Sequence, residues 1–528
     1  MKKRLNRAEL QRILSTPVTL ALLDRIPWKT GDETAFIMLA SFALWPLFVL
    51  LPTLWNCGVK WALNWNNFGQ GRKYLNPYYY GSFDRMIECN QGLLDKALFP
   101  LTVCLSAAVY FFLLGKALRE KRSLSGMFRK NPTFVVFLAL VAWMIIDIPF
   151  TNGVTDTLMH GKGLVHESFP LHLEYFLCFL PLGVFLRNPR MKLWLLRGMT
   201  VVSVILASCA FYLHGNLKAS PYYYDWAPSY AAIFTNPNYY GYFLSVFVSL
   251  SAALFACAKS WRWRCFYAFA LILNTFVLSY NRTRGAWVGG LCACLFLVVA
   301  CRIREGKFRL WPVAALALFV SVLYLTGLIN GKLMSSITTI SHDVQIILTE
   351  PDSPQANFVA SRRWILWKHS LNLIKQYPIF GVGFEGVHVR ALTYVTNGRP
   401  HNEFMQYALF YGIPAALLYC LGCAGVYVRA FRRRSSLDAP TLAALTAAFG
   451  YLASSFWGLT VYNTAPYLFI MLGLGYVWEE TANVTNGCAE TQDANIAHGE
   501  TETQDANVAD GETETQDATV ADGETESE

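Results

Sequence analysis

Long apolar runs separated by short polar links set the plan of this chain. The runs fall at about residues 34–55, 96–115, 132–150, 171–187, 192–213, 239–258, 265–281, 285–302, 310–329, 404–428, 438–458 and 464–478. Most approach the ~20 residues that a helix needs to cross a hydrocarbon core of ~30 Å. The shorter ones imply inexact ends or local thinning of the bilayer. The pattern predicts an all-α polytopic membrane protein of about twelve transmembrane helices.

Three stretches break the pattern. Residues 1–33 are polar and basic, with an amphipathic patch at Ile13–Ile26, and are expected in the cytoplasm, lying on the inner surface. No cleavable signal is expected before the first apolar run, which should itself act as the insertion signal. Residues 330–403 form a long loop between the ninth and tenth runs, within a transmembrane domain of residues 34–478. Residues 479–528 carry a twelve-residue unit three times, Glu490–Thr501, Glu502–Thr513 and Glu514–Thr525. That unit is too polar to bury a core, so a disordered acidic tail without a part in catalysis is expected.

Composition narrows the class further. Of 528 residues, 54% are hydrophobic and 15% charged, against roughly 25% charged in soluble domains. A string of globular domains is therefore excluded. The net charge of +9 hides two opposed parts, because fifteen of the 35 acids and none of the 44 Lys and Arg lie beyond residue 478.

The bases crowd into alternate short loops: Lys116–Lys130, Arg187–Lys192, Lys259–Arg264, Arg302–Arg309 and Arg429–Arg434. All five fall on the side of the N-terminus, which the positive-inside rule makes cytoplasmic. This charge sets orientation and is not a nucleic-acid patch. Both termini are then expected inside, with the loops at 56–95, 151–170, 214–238, 282–284, 330–403 and 459–463 outside. Their aromatics, such as Tyr78–Tyr80 and Tyr222–Tyr224, suit an interfacial belt or stacking on sugar rings.

Most of the 13 cysteines sit inside apolar runs and read as small hydrophobes. Cys420 and Cys423 have redox spacing but fall within a span, so packing is expected. Cys57 and Cys89 share an outer loop and could pair. His160, His166 and His172 lack the spacing of a zinc site and are expected at the surface. Asp147 and Glu174 flank the outer ends of two spans.

The candidate chemistry gathers in the outer polar elements. Arg282 and Arg284 lie in Asn281-Arg282-Thr283-Arg284-Gly285, which joins two spans with almost no loop. They are either snorkelling anchors or an anion clamp, since a guanidinium matches phosphate oxygens bidentately and keeps its charge. Asn236-Pro237-Asn238 opens the sixth span, where Asn236 is either a helix cap or, with Asn238, a partner for sugar hydroxyls. Ser361-Arg362-Arg363-Trp364 begins an amphipathic helix that breaks at Tyr377-Pro378-Ile379-Phe380-Gly381-Val382-Gly383. The turn Arg399-Pro400-His401-Asn402-Glu403 then opens the tenth span.

Taken in order, these five motifs resemble those of the O-antigen ligase and polymerase superfamily, most specifically over residues 230–415. The resemblance implies a metal-independent glycosyltransferase of the GT-C type, with no cofactor, in the bacterial inner membrane. Its donor would be a glycan on undecaprenyl diphosphate. Its acceptor would be a hydroxyl of lipid A–core or of another glycan, on the outer side.

The resemblance further implies that Arg284 binds the diphosphate and that His401 is essential. Arg282, Arg362, Arg363, Asn236, Asn238 and Asn402 are the expected supporting contacts. One departure stands out: the loop at 214–238 lacks the family's further arginine and offers only Lys218 as a fixed cation. The chemistry agrees with these roles. A diphosphate leaving group needs fixed cations more than an acid, and a histidine suits an acceptor hydroxyl that must lose a proton near neutral pH. A polymerase, a protein O-oligosaccharyltransferase and a lipid-linked-glycan transporter are the alternatives. Between the halves no internal repeat of the transporter kind is evident.

Overall fold

The computed structural model describes residues 31–51, 54, 130–151, 169–218, 230–234, 236–329, 332–383, 399–434, 437–461 and 463–477. The expected span at 96–115, the segment 1–30, Cys57, Cys89, His160, His166 and the acidic tail lie outside them. Thirteen helices are named here in chain order. They are α1 (Gly31–Ala43), α2 (Pro132–Asp147), α3 (Leu171–Phe185), α4 (Pro189–Lys218), α5 (Pro237–Cys257), α6 (Trp261–Asn281) and α7 (Arg284–Glu305), followed by α8 (Leu310–Ile329), α9 (Lys332–Thr349), α10 (Arg363–Gln376), α11 (Glu403–Arg432), α12 (Ala439–Ser455) and α13 (Ala465–Leu474).

No strand occurs among the described residues. Seven of their helices are long and apolar enough to cross a membrane, and three apolar helices are shorter. Every run expected from the sequence, apart from 96–115, coincides with a helix. The last is shorter than expected: ten residues of α13 rise about 15 Å, half of a hydrocarbon core. All ten are buried, packed against α3 and α12.

Helix α5 is the centre of the bundle and is buried along almost its whole length. It packs on α6, α7, α8 and α12. Small residues permit this closeness, as in other membrane bundles, where packing rather than the hydrophobic effect holds helices together. The Ser245 hydroxyl of α5 donates to the Gly450 carbonyl of α12 at 3.0 Å. A Cβ on Gly289 of α7 would lie 2.6 Å from that same carbonyl, so only glycine lets α7 and α12 touch there.

One end of the bundle gathers the basic loops. The Asp32 carboxylate accepts the N–H groups of Arg187 and Asn188, fixing α1 to the start of α4. The Lys192 ammonium donates to the Leu474 carbonyl at 2.8 Å, and the Arg429 guanidinium donates to the Val477 and Lys130 carbonyls and to Asn131. Cations thus satisfy the free carbonyls at the end of α13, where the helix dipole favours them. These contacts put residues 32, 130, 187–192, 429 and 474–477 on one side.

The opposite end is shaped by a break in α11. Gly412 has φ 83° and ψ 169°, which interrupts the helix within its membrane run. The freed backbone pairs with the Pro378–Gly383 segment: the Ile413 N–H donates to the Pro378 carbonyl, and the Val382 N–H donates to the Leu409 carbonyl, both at 2.8 Å. The Trp143 indole donates to the Tyr411 carbonyl at 2.8 Å. Phe380 stacks on Trp143 and Phe150 at the end of α2. The backbone groups a mid-membrane kink exposes are therefore satisfied by protein, as a low-dielectric setting requires.

Candidate functional site

At the end opposite the basic loops, four polar segments meet. The first two are joined directly. The Asn281 side-chain amide donates to the carbonyls of Tyr230 and Pro237, and the Thr283 hydroxyl donates to the Pro237 carbonyl at 3.3 Å. The Asn236-Pro237-Asn238 turn is thereby locked to the α6–α7 link. Arg282 closes α6 in the left-handed region at φ 64°, and Arg284 is the first residue of α7; both are half-buried. The Asn236 carbonyl oxygen of the side chain accepts the Asn238 N–H at 2.8 Å with Pro237 at the first turn. Of the two readings for Asn236, the cap is what its side chain does.

The third segment starts with strained backbone. Ala360, Ser361 and Arg362 all have positive φ, at 51°, 57° and 67°, a region that residues with a Cβ rarely occupy in succession. The Asp343 carboxylate holds the turn by accepting the Ala360 N–H at 3.1 Å. Two neighbouring arginines leave this turn in different settings. Arg362 is exposed, with its guanidinium over the Phe358 ring. Arg363 is half-buried and interacts with the Tyr242 hydroxyl of α5 and with His401.

The fourth segment carries the histidine. His401 sits at φ 47°, another left-handed position. The turn is pinned by the Trp367 indole, which donates to the Pro400 carbonyl at 2.7 Å. Asn402 caps α11 by accepting the Met405 N–H at 3.0 Å. Burial, with the Arg363 and Arg399 guanidinium groups beside it, pushes the His401 pKa from 6.5 down to about 3. The imidazole is therefore neutral at physiological pH, with a ring nitrogen that can accept a hydrogen bond but a weaker basicity than an ordinary histidine.

The turn after α12 links the arginine on α7 to this cluster. Gly285, next to Arg284, lies against Trp457. The Trp457 carbonyl accepts the Tyr242 hydroxyl at 2.6 Å, and Tyr242 is the neighbour of Arg363. Trp367 meets Phe456 edge to face. The Gln406 side chain accepts the Thr460 N–H at 3.2 Å. Arg284, Arg363, Arg399 and His401 thus sit at one end, coupled through residues 456–460.

Several members of this site were not read from the sequence. Arg399, buried against His401, was quoted only as part of its turn. Tyr242, Trp367, Trp457 and Glu403 were given no role. Glu403 is fully buried, accepts the Tyr419 hydroxyl at 3.1 Å and lies among the hydroxyls of Tyr451, Ser455 and Thr460. Lys218 is the last residue of α4, and its side chain lies outside the described residues.

One expectation is corrected. His172 is not at the surface: it is 1% exposed and caged by the rings of Tyr175, Tyr407 and Tyr411. His172 lies in the first turn of α3 on the face turned toward α11, a position set by packing and not by sequence spacing. Asp147 and Glu174 are likewise buried. Cys420 and Cys423 are free thiols, the second buried.

Fold and site together define an all-helical polytopic membrane protein with a cationic, aromatic-framed site at one end of its bundle. A family model described as O-antigen ligase matches residues 267–420, from within α6 to within α11. The match spans the α6–α7 link, the Arg363 turn, the Pro378–Gly383 segment and His401. The resemblance read from the motifs is matched by this family model over this stretch. No curated protein matches the chain.

Proposed function

We propose that the protein is a membrane glycosyltransferase of the O-antigen ligase type. It moves a polysaccharide from undecaprenyl diphosphate to an acceptor hydroxyl, on lipid A–core, at the outer face of the bacterial inner membrane. The observation that carries this reading is the convergence of Arg363 and Arg399 on a neutral His401, inside the matched stretch and at the same end as Arg284. In this reading residues 1–33 and the tail from 479 are cytoplasmic, and residues 34–478 form the catalytic membrane domain.

The reaction needs one proton moved and one anion released. His401 accepts the proton of the acceptor hydroxyl as its oxygen bonds to the anomeric carbon of the donor sugar. The bond from that carbon to the diphosphate breaks, and undecaprenyl diphosphate leaves with the electron pair. Arg284 and Arg363 meet the developing negative charge, with Arg282 and Arg399 adding field from the flanks. Arg363 also takes the place of the loop arginine that residues 214–238 lack. The Tyr242 hydroxyl and the Trp367–Pro400 bond orient Arg363 and His401, so little reorganisation is left for the reaction itself. The exposed Arg362 and the capping Asn236 and Asn402 hold the turns in shape, and Asn238 faces the glycan.

No step in this scheme draws on a metal ion. Activity of the purified protein should persist in EDTA, and full loss on chelation would overturn that part of the scheme. Substitution tests the rest. Removing one preorganised charge contact to a transition state costs about 2.7–4 kcal/mol, or roughly a hundredfold or more in rate. Arg284→Ala, Arg363→Ala and His401→Ala should each show such a loss in a purified transfer assay while the protein still inserts. Near-normal turnover in His401→Ala would reject the assignment.

A further inference from the structure

Helix α9 presents three distinct faces. Ser336, Asp343, Ile346 and Ile347 are half-buried and turn toward the protein. Met334, Ile337, Ile340, Val344 and Leu348, interrupted by the exposed Ser341, form a mainly apolar stripe whose apolar members are 45% to 77% exposed. At about 100° per residue they share an arc of roughly 120°. The third face is polar and exposed, with Ser335, Thr338, His342, Gln345 and Thr349. The Thr338 and Thr349 hydroxyls donate back to carbonyls of their own helix, so they need little water.

The position of α9 identifies what covers the stripe. Helix α7 starts at the site end with Arg284, and α8 returns to that end, so α9 follows there and packs against α8. The last turns of α8 expose Tyr324, Leu325, Leu328 and Ile329, which is the surface a span gives to lipid. Helix α9 packs on that end of α8, and its exposed surface divides into the apolar stripe and a polar face. One face to protein, one apolar and one wet is the arrangement of a helix at a water–lipid boundary.

We propose that α9 is an interfacial helix, seated in the plane of the membrane at the site end with its apolar stripe among the acyl chains. Through Asp343, which accepts the Ala360 N–H, it fixes the left-handed Ala360–Arg362 turn at a set height above the lipid. Arg363 follows that turn directly, so the seat of α9 sets where a cation meets a lipid-borne anionic headgroup. Among the described side chains the exposed polar face carries one titratable group, His342, so we assign the seating to apolar burial. The seating rests on the bundle architecture alone. Only the coupling to Arg363 rests on the proposed function.

The test uses the full chain in nanodiscs of phosphatidylcholine, with a fluorescent amino acid placed singly at 337, 344, 338 or 342. All four positions are exposed, so the fold should tolerate them. Bromine-labelled acyl chains should quench emission at 337 and 344 about twofold more than at 338 and 342. Equal quenching at all four positions would overturn the seating. Blue-shifted emission at 337 and 344 that bromine leaves untouched would also overturn it, and would mean that a second copy or another protein covers the stripe. Asp343→Ala should keep the quenching pattern yet lower kcat/KM for the lipid-linked donor about fivefold, the effect of one lost hydrogen bond. An unchanged kcat/KM would remove the coupling and leave the seating intact.

Discussion

His401 can serve as a base only while it stays unprotonated beside two guanidinium groups. Burial and those cations hold its pKa at about 3, against the ordinary 6.5. The pH dependence of kcat/KM reports the free enzyme, so it should show no falling acid limb from this group between about pH 5 and pH 7. A limb in that window would contradict the depressed pKa, leaving His401 a base with an ordinary pKa. Stability follows the same shift. The unfolded chain takes up this proton near 6.5 and the folded chain does not until about 3. The contribution of neutral His401 is thus complete above the unfolded value and is lost as pH falls toward the folded one. At Arg284 the geometry of the charge matters as well as its sign. Arg284→Lys should stay badly impaired in transfer, because an ammonium cannot reproduce the bidentate fork. Recovery to near wild-type rate by lysine would reduce Arg284 to a point charge.

The break in α11 is the device that places the site turn. Gly412 has φ 83°, and a Cβ there would stand 1.8 Å from the Ile379 carbonyl oxygen. Gly412→Ala should therefore unseat the Pro378–Gly383 segment. Backbone of this kind costs a residue with a side chain about 1–3 kcal/mol before the clash is counted. A thermal-unfolding scan of the purified variant should show a clear drop in Tm, and an unchanged Tm would argue against the docking. Trp143→Phe keeps the stacking on Phe380 but loses the bond to the Tyr411 carbonyl, so it should cost only about 1 kcal/mol. The existence and placement of the helices were legible in the sequence because run length and apolarity decide them. The break was not read, although Gly412 and Pro414 together mark a kink within the apolar run, because run length and apolarity alone pass over it. Arg284, Arg363 and His401 were legible because they stand in short motifs at span ends. Arg399, Tyr242 and Trp457 were not, because only packing brings residues so far apart in sequence to one place. His172 was misread for a related reason: which face of a helix is inward depends on neighbours, here Tyr407 and Tyr411 of α11.

The whole molecule separates two ends, one holding the basic loops and the other the site. If the basic end is cytoplasmic, as the positive-inside rule requires, a reporter fused after Glu480 should be cytoplasmic and one inserted near Asn357 exterior. The reverse pattern at Asn357 would place the site on the wrong face for an exported glycan. Removing residues 490–528 should leave transfer within about twofold, since the repeat has too little apolar content to pack on the bundle. The central claim is that this site transfers a glycan from a polyprenyl diphosphate to a hydroxyl. The most direct measurement mixes the purified protein with an undecaprenyl-diphosphate-linked polysaccharide and a lipid A–core acceptor, and follows both products. The account predicts glycan on the core together with released undecaprenyl diphosphate, in equal amounts, and neither product with His401→Ala. Lengthened glycan that stays on the lipid carrier would make the protein a polymerase. Intact donor and bare core, with glycan moved across the membrane instead, would contradict the account.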